Sequence, residues 1–377
     1  MRLHPTIHPI CGRAMARNAI LAAAALAACE LAAAQSSATL FGVVDAAFQH
    51  GTGSIAGRTQ LGNSGLALSR IGFRGKEDLG AGLWASFWLE AGIQNDTGQG
   101  VATNGNNQPG GAGPAGLNGG QGLTFNRRST VSIGGPWGEL RLGRDFTPQY
   151  YNLTYDVTAA IGLGTPVNVT NIITGVTFQR ASNAVSYFSP KVAGFFGQAQ
   201  VYFGENSSNS AGKDDGKGAG IRIGYAAGPL EVAAATSRTQ YLAGDSRQSN
   251  IGGSYDFGAL KLFANYSHDR GLVRSGPATL AAKANGWAVS ASAPFGSNEL
   301  RATFSEYRIV PVDGAIENPR ARKLAATWVH EFTKPTAIYA TVAHVTNSGG
   351  SATALLGAAT GANQSSTGYE AGIRHSF

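Results

Sequence analysis

The feature that most restricts this chain is a period of two that returns along almost its whole length. In 83–93 the odd positions Leu83, Ala85, Phe87, Leu89, Ala91 and Ile93 share one face, while Ser86, Glu90 and Gln94 take the other with Trp84 and Trp88. In 195–203 Phe195, Ala199, Val201 and Phe203 oppose Gln198 and Gln200. In 250–257 Ile251, Tyr255 and Phe257 oppose Asn250, Ser254 and Asp256, and in 287–295 Trp287, Val289, Ala291, Ala293 and Phe295 oppose Ser290 and Ser292. Alternate side chains of a strand point to opposite faces of its sheet, so each set lines one face. A helical period fits none of the four.

Segments of this kind, each closed by Gly, Pro, Asn or Asp, number 16. They fall near 39–49, 66–77, 83–95, 125–134, 138–145, 183–189, 195–204, 218–226, 230–240, 248–257, 260–269, 285–295, 298–309, 321–332, 336–346 and 367–377. An even count lets an antiparallel ring close with both termini on one side. The connections alternate in length. Short ones such as Asp78–Gly82, Gly134–Gly138 and Ala226–Pro229 face long ones near 50–65, 96–124, 146–182, 205–217, 270–284, 310–320 and 347–366. Short turns on the periplasmic side and long loops on the other are the outer-membrane pattern. The final segment places Tyr369, Ala371, Ile373, His375 and Phe377 on one face and stops in mid-strand. Pairing it with Thr39–Gln49 would leave no open edge, and an open edge costs several kcal/mol per unpaired group in lipid.

Composition excludes the competing classes. Only 14% of the 377 residues are charged, against about 25% in ordinary soluble domains. The 43% hydrophobic content is too high for disorder. No run of about 20 apolar residues interrupts the body of the chain, which excludes a helical membrane protein. A lipid-embedded barrel has this intermediate profile because only alternate residues meet lipid.

The N-terminus reads as a secretion leader over 1–34, with the barrel occupying 35–377. Arg13 and Arg17 precede the apolar run from Ala19 to Ala28, and Ala32-Ala33-Ala34 offers a cleavage site before Gln35. Met15 is an alternative start, and Leu26-Ala27-Ala28-Cys29 is a weaker, lipobox-like signal. Both cysteines, Cys11 and Cys29, lie in the leader, so the mature chain offers no disulfide and no thiolate metal site. No metal or other cofactor is expected. The formal net charge of +7 is diffuse and does not indicate nucleic acid.

The start Gln35–Asp45, the run Ser69–Gly80, the run Leu140–Asp145, Asn183–Pro190 and the terminal Arg374-His375-Ser376-Phe377 resemble the trimeric general-diffusion porins of Gram-negative bacteria, in their β-proteobacterial form. The order and spacing of these motifs, over essentially the whole mature chain, make the resemblance specific. It implies an all-β fold: a 16-stranded antiparallel transmembrane barrel in the outer membrane, assembled as a homotrimer, with the third external loop, about 146–182, folded into the pore. Tyr150, Tyr151, Tyr155, Ile161, Val167, Ile172 and Ile173 give that loop more apolar groups than an exposed one would need.

In that family arginines on one wall face acidic groups on the inward loop. The resemblance assigns the wall positions to Arg70, Arg128 and Arg180, with Arg74 beside them and Arg127 replacing Arg128 if the register slips by one. It assigns the loop carboxylate to Asp156, the only one between 146 and 182. Parity agrees for Arg70 and Arg74, since Ile71 and Phe73 take the lipid face; Asp45, Glu90 and Arg141 are also inward by parity. The expected function is passive diffusion of small hydrophilic solutes and ions, weakly favouring anions. The partners would then be outer-membrane lipids and the solutes in transit.

A substrate-specific channel is the alternative, with Trp84 and Trp88 as a sugar track. A barrel enzyme is a weaker one. His268-Asp269 and His330-Glu331 put neighbours on opposite faces of a strand, which is wrong for a catalytic relay. No G-x-S-x-G, HExxH or P-loop occurs.

Overall fold

The computed structural model describes residues 37–104, 106–108, 122–153, 162–275, 278–311 and 318–377. The leader and Asp156 fall outside them, as do Tyr155 and Ile161 of the third loop. Among the described residues eighteen strands form one antiparallel sheet that closes on itself. Sixteen make the barrel wall: β1 (Ser37–Gly53), β3 (Arg70–Gly80), β4 (Leu83–Gln94), β6 (Arg128–Gly135), β7 (Gly138–Phe146), β8 (Arg180–Phe188), β9 (Phe195–Tyr202), β10 (Gly218–Ala227), β11 (Leu230–Thr239), β12 (Ser246–Asp256), β13 (Lys261–Ser275), β14 (Ala278–Phe295), β15 (Asn298–Pro311), β16 (Arg320–Thr333), β17 (Thr336–Ser348) and β18 (Ser366–Ser376). The other two are β2 (Arg58–Asn63) and the two-residue β5 (Gln99–Gly100).

The ring closes where the last strand meets the first. β18 pairs with β1 from Val43↔Ser376 to Gly53↔Ser366. Gly42 and Phe377 then exchange backbone hydrogen bonds of 2.9 and 3.1 Å. The Phe377 ring lies over Gly42, where a Cβ would meet its Cζ at 2.3 Å, so the seam needs glycine there.

Polarity is inverted relative to a soluble protein. Buried side chains include Gln49, Gln200, Gln248, Asn250, Ser267 and Thr303, while Phe48, Leu300, Leu324, Ile251 and Val201 are exposed. The exposed apolar set lies on the outer face and takes lipid as its solvent, and the polar set lines the lumen. Backbone pairing along every strand leaves the bilayer no unsatisfied ladder.

Two expected boundaries are corrected. The second barrel strand is broken, not continuous over 66–77. Upper β1 pairs with β2, lower β1 pairs with β3, and 64–69 leave the ladder between them. The Asp45 carboxylate causes the break by accepting N–H bonds from Gly65, Leu66 and Ala67 at 2.7–3.1 Å. It also accepts from the Tyr339 hydroxyl at 2.5 Å. A charged acceptor holding several backbone donors competes well with ladder pairing. The segment 270–284, read as a loop, instead continues the β13–β14 ladder to Ser275↔Ala278. A hairpin needs only its partner strand to extend beyond lipid, so the end of the apolar pattern does not mark the end of the strand.

Candidate functional site: an arginine-lined wall and the segment facing it

The described parts of the segment 147–179, residues 147–153 and 162–179, lie against inward-facing side chains of the barrel wall. Helix α1 (Pro148–Leu153) meets β10–β12. Asn152 donates to the Ala233 carbonyl at 2.9 Å, and Asn250 donates to the Gln149 carbonyl at 2.8 Å. The short helix α2 (Val167–Thr170) meets β14–β16. The Val167 N–H donates to Ser305 Oγ at 3.0 Å, Lys323 Nζ donates to the Thr165 carbonyl at 2.7 Å, and the Ile173 N–H donates to the Tyr307 hydroxyl at 3.1 Å. Leu163 N–H reaches Glu370 at 3.2 Å. Tyr150, Leu153 and Val169 pack with Phe146, Ile172 and Phe178, which accounts for the segment's apolar content.

Opposite this segment, β3, β6, β7 and β8, with Arg127 just before β6, carry a ladder of guanidinium groups, and β4 between them carries Glu90. Register explains the placement. Gly72 faces Glu90, Arg74 faces Trp88, Glu90 faces Arg128, and Phe146 faces Arg180 across the paired strands. Glu90 is shared: Arg127 binds its Oε1, Arg70 Nε lies 3.7 Å from the same oxygen, and Trp88 Nε1 donates to Oε2 at 3.0 Å. Asp145 is shared in the same way by Arg141 and by Arg128, the latter at 3.9 Å. Arg141 also chelates Glu139 at 2.9 and 3.0 Å. Its Nη1 donates to the Tyr151 hydroxyl at 3.2 Å. Burial, with the Asp145 carboxylate nearby, pushes the Tyr151 phenol up to about 12, so Tyr151 is neutral here.

Three guanidinium groups, Arg127, Arg144 and Arg180, line one cavity of about 780 Å³ together with Tyr150, Val169 and Phe178 of the facing segment. Arg180 is the most enclosed, at 7% exposure. It lies over the Phe146 ring at 4.4 Å and donates through Nη1 to Gln179 at 2.6 Å. Its Nε and Nη2 find no acceptor among the described residues. A buried guanidinium with two unanswered donors is a costly arrangement unless something anionic or wet reaches it.

The residues expected from sequence separate into levels. Arg70, Arg128 and Arg180 occupy one wall. Arg74 lies nearer the periplasmic end, 5.1 Å from the Phe41 and Trp88 rings, and is not part of the Arg180 cavity. Arg127 and Arg128, posed as alternatives, both turn inward. Arg127 precedes β6 and so escapes strand alternation, whereas Arg128 begins the strand on its inner face. Asp45 is inward but fully engaged by backbone donors and Tyr339.

Arg144 was missed. Strict alternation with Arg141 puts it outside, but β7 shifts register between Gly143 and Asp145. Gly143 takes φ +122°, and a Cβ there would meet the Ser129 carbonyl at 2.1 Å. The bulge turns both Arg144 and Asp145 inward, and Arg144 donates to Asn126 O at 2.6 Å and to Ser182 Oγ at 2.7 Å. A glycine inside an alternating strand is the signal that could have found it.

A closed 16-stranded barrel, apolar outside and basic on one inner wall, defines a channel of the outer membrane. The chain belongs to the Gram-negative porin family, whose profile matches residues 21–350. It is 33% identical to outer membrane porin protein 32 of Delftia acidovorans, over 96% of this chain and 100% of that protein. It is 26% identical to an outer membrane porin protein of Bordetella pertussis, over 67% of this chain and 69% of that one. Among solved structures, an anion-selective porin from Comamonas acidovorans superposes with a TM-score of 0.76 at 30% identity, covering 91% of this chain and 100% of that one. OmpF of Salmonella typhi, at 16% identity and a TM-score of 0.64 over 91% and 98% of the chains, shares the fold. The protein is an outer-membrane porin, a channel for passive diffusion and not an enzyme.

Proposed function

We propose that this porin favours small anions, and that Arg127, Arg144 and Arg180 are the groups that set the preference. The observation that carries the reading is the shared cavity of these three guanidinium groups, with Arg180 holding two donors that no described residue answers. Arg70 and Arg128 flank them, each sharing a carboxylate with another arginine. Arg74 acts earlier in the path, toward the periplasm. Segment 147–179 narrows the pore opposite this wall, and Asp156 supplies the loop's carboxylate. Selectivity in such a pore follows width and fixed charge at the narrowest point. The similar Comamonas porin is anion-selective, which supports the same direction.

The test is a reversal potential in a planar bilayer under a salt gradient. A cation preference in the wild-type channel would overturn the reading. The working unit proposed is a homotrimer, a form named for OmpT of Vibrio cholerae, which shares the fold at 14% identity and a TM-score of 0.63. Conductance closing in three equal steps would support it; single-step closure of every channel would not. Residues 1–34 are proposed as a leader removed on export, so N-terminal sequencing of the mature protein should begin at Gln35.

A further inference from the structure

Two luminal tryptophans take no part in the Arg180 cavity. Trp84 and Trp88 lie on β4, near its short turn with β3, and share the inner face with Glu90. Trp88 stands two residues below Glu90 and donates through Nε1 to its Oε2 at 3.0 Å. Trp84 is four residues lower still and lies over Gly134, where a Cβ would meet the indole at 2.2 Å. The pair lines the lumen on the periplasmic side of the basic wall.

Each indole has a cation against it. The Lys76 ammonium lies 4.6 Å from the Trp84 ring, and the Arg128 guanidinium 4.6 Å from the Trp88 ring. The Arg74 guanidinium is 5.1 Å from both Trp88 and Phe41, whose rings meet edge to face at 5.0 Å. Cross-strand register sets this arrangement. Arg74 is opposite Trp88, and Lys76 is opposite Ser86, which stands between the two tryptophans. A cation over an aromatic face is attracted by the ring quadrupole and keeps its charge. Arg128 shares Asp145 with Arg141. Arg74 and Lys76 are exposed to the lumen and make no ion pair or hydrogen bond among the described residues. Rings hold these two cations, and no carboxylate neutralises them.

The tryptophans, Arg74, Lys76, Arg128 and Arg141 line one hollow of about 350 Å³. None of its lining residues lines the cavity of Arg127, Arg144 and Arg180, so the hollow is a separate place on the path. Its chemistry is mixed: fixed positive charge beside flat apolar walls. A sugar would meet cations where it needs bare ring faces. A small inorganic anion would meet the charge but set its hydration shell against the indoles. A molecule that joins an anionic group to a flat aromatic ring answers both features.

We infer that this hollow is a binding subsite for aromatic carboxylates in transit, with Arg74 and Lys76 taking the carboxylate and Trp84 and Trp88 the ring. A guanidinium fork matches a carboxylate through paired, charge-assisted hydrogen bonds, and an ammonium adds a point charge. Aromatic rings attract one another offset or edge to face, the contact that Phe41 makes with Trp88 beside the hollow. The subsite presupposes the porin channel but not anion preference at the Arg180 cavity.

The experiment measures ion-current noise from the porin in a planar bilayer in chloride, with benzoate, cyclohexanecarboxylate and benzyl alcohol as probes. Benzoate should bind the wild type about fivefold more tightly than cyclohexanecarboxylate, which carries the same charge without the aromatic ring. Benzyl alcohol, a ring without charge, should show no binding. The double variant Arg74→Gln, Lys76→Gln should lose about twentyfold in benzoate affinity, about fivefold for each cation at contact distance in water. Trp84→Leu should reduce the preference for benzoate over cyclohexanecarboxylate to about twofold. The heat-modifiable gel shift establishes that each variant is folded. Should the double variant fail to fold, Lys76→Gln alone should lose about fivefold, and Lys76→Arg should retain binding. Equal affinity of the wild type for benzoate and cyclohexanecarboxylate would overturn the proposal. So would undiminished benzoate affinity in the folded double variant; its loss in Arg180→Ala instead would assign the binding to the Arg180 cavity. A cation-selective wild type that still binds benzoate through Arg74 and Lys76 would refute the anion preference and leave this subsite standing.

Discussion

The two inner walls of this barrel are built from the same alternation and do opposite things. From β3 to β8 the lumen is charged: Arg70, Arg127, Arg128 and Arg141 share Glu90, Glu139 and Asp145, while Arg144 and Arg180 pair with none of the three. From β11 to β15 the middle of the wall is amide and hydroxyl: Ser237, Gln248, Asn250, Asn265, Ser267, Ser290, Thr303 and Ser305 are all buried there. Asp269 is the carboxylate among them, and the Tyr307 hydroxyl donates to it at 2.9 Å. The neutral wall holds the described parts of segment 147–179 by uncharged hydrogen bonds at Gln149, Asn152, Val167 and Ile173. The basic wall is left to face whatever passes. Inward placement is common to both, so position on the lumen side does not define a selectivity residue. An excess of charge over local partners does.

The comparison breaks most visibly on the basic wall. Arg180→Ala should shift the reversal potential toward cations by about fivefold in permeability ratio, as expected for removing about 1 kcal/mol of electrostatic attraction near the path. Gln248→Ala, on the neutral wall, should leave that ratio unchanged within experimental error. Equal shifts for both would dissolve the distinction between the walls.

A stability effect is next. Asp45→Ala strips Gly65, Leu66 and Ala67 of their shared acceptor at the boundary between the walls. Buried donors left unanswered cost about 1–3 kcal/mol each. The urea midpoint of the folded barrel, followed by its heat-modifiable gel shift, should fall accordingly. An unchanged midpoint would mean that the 64–69 break holds itself open.

The neutral wall should respond more gently. Ser305→Val removes the acceptor for the Val167 N–H and should cost about 1–2 kcal/mol locally. The expected readout is noisier single-channel current with an unaltered reversal potential. A changed reversal potential would mean that the segment's anchoring, not wall charge, sets selectivity. Smallest is the salt response. Raising ionic strength from about 0.1 to 1 M shortens the screening length from about 10 to 3 Å, so anion preference should weaken without vanishing. Complete insensitivity to salt would point to pore width in place of charge.

Much of this was legible in the sequence. Alternation gave the outer and inner faces of β4, β9, β12 and β14, and the terminal Phe377 located the seam. Parity put Arg70, Glu90 and Arg128 inside. It failed where the backbone leaves the ladder: at Gly143, which brings in Arg144; before β6, where Arg127 is unconstrained; and at 64–69, where Asp45 competes with pairing.

What the sequence by itself determined is which side of the sheet each residue takes. A period of two is a local property of extended backbone, and lipid outside with water inside enforces it strand by strand. What only the tertiary structure decided is which charges share a partner and which do not. That depends on the register of strands distant in sequence, on two breaks in the ladder and on the described parts of 147–179 bonded to the inner wall. For that reason the porin could be read from the chain, whereas the cavity of Arg127, Arg144 and Arg180 required the closed barrel.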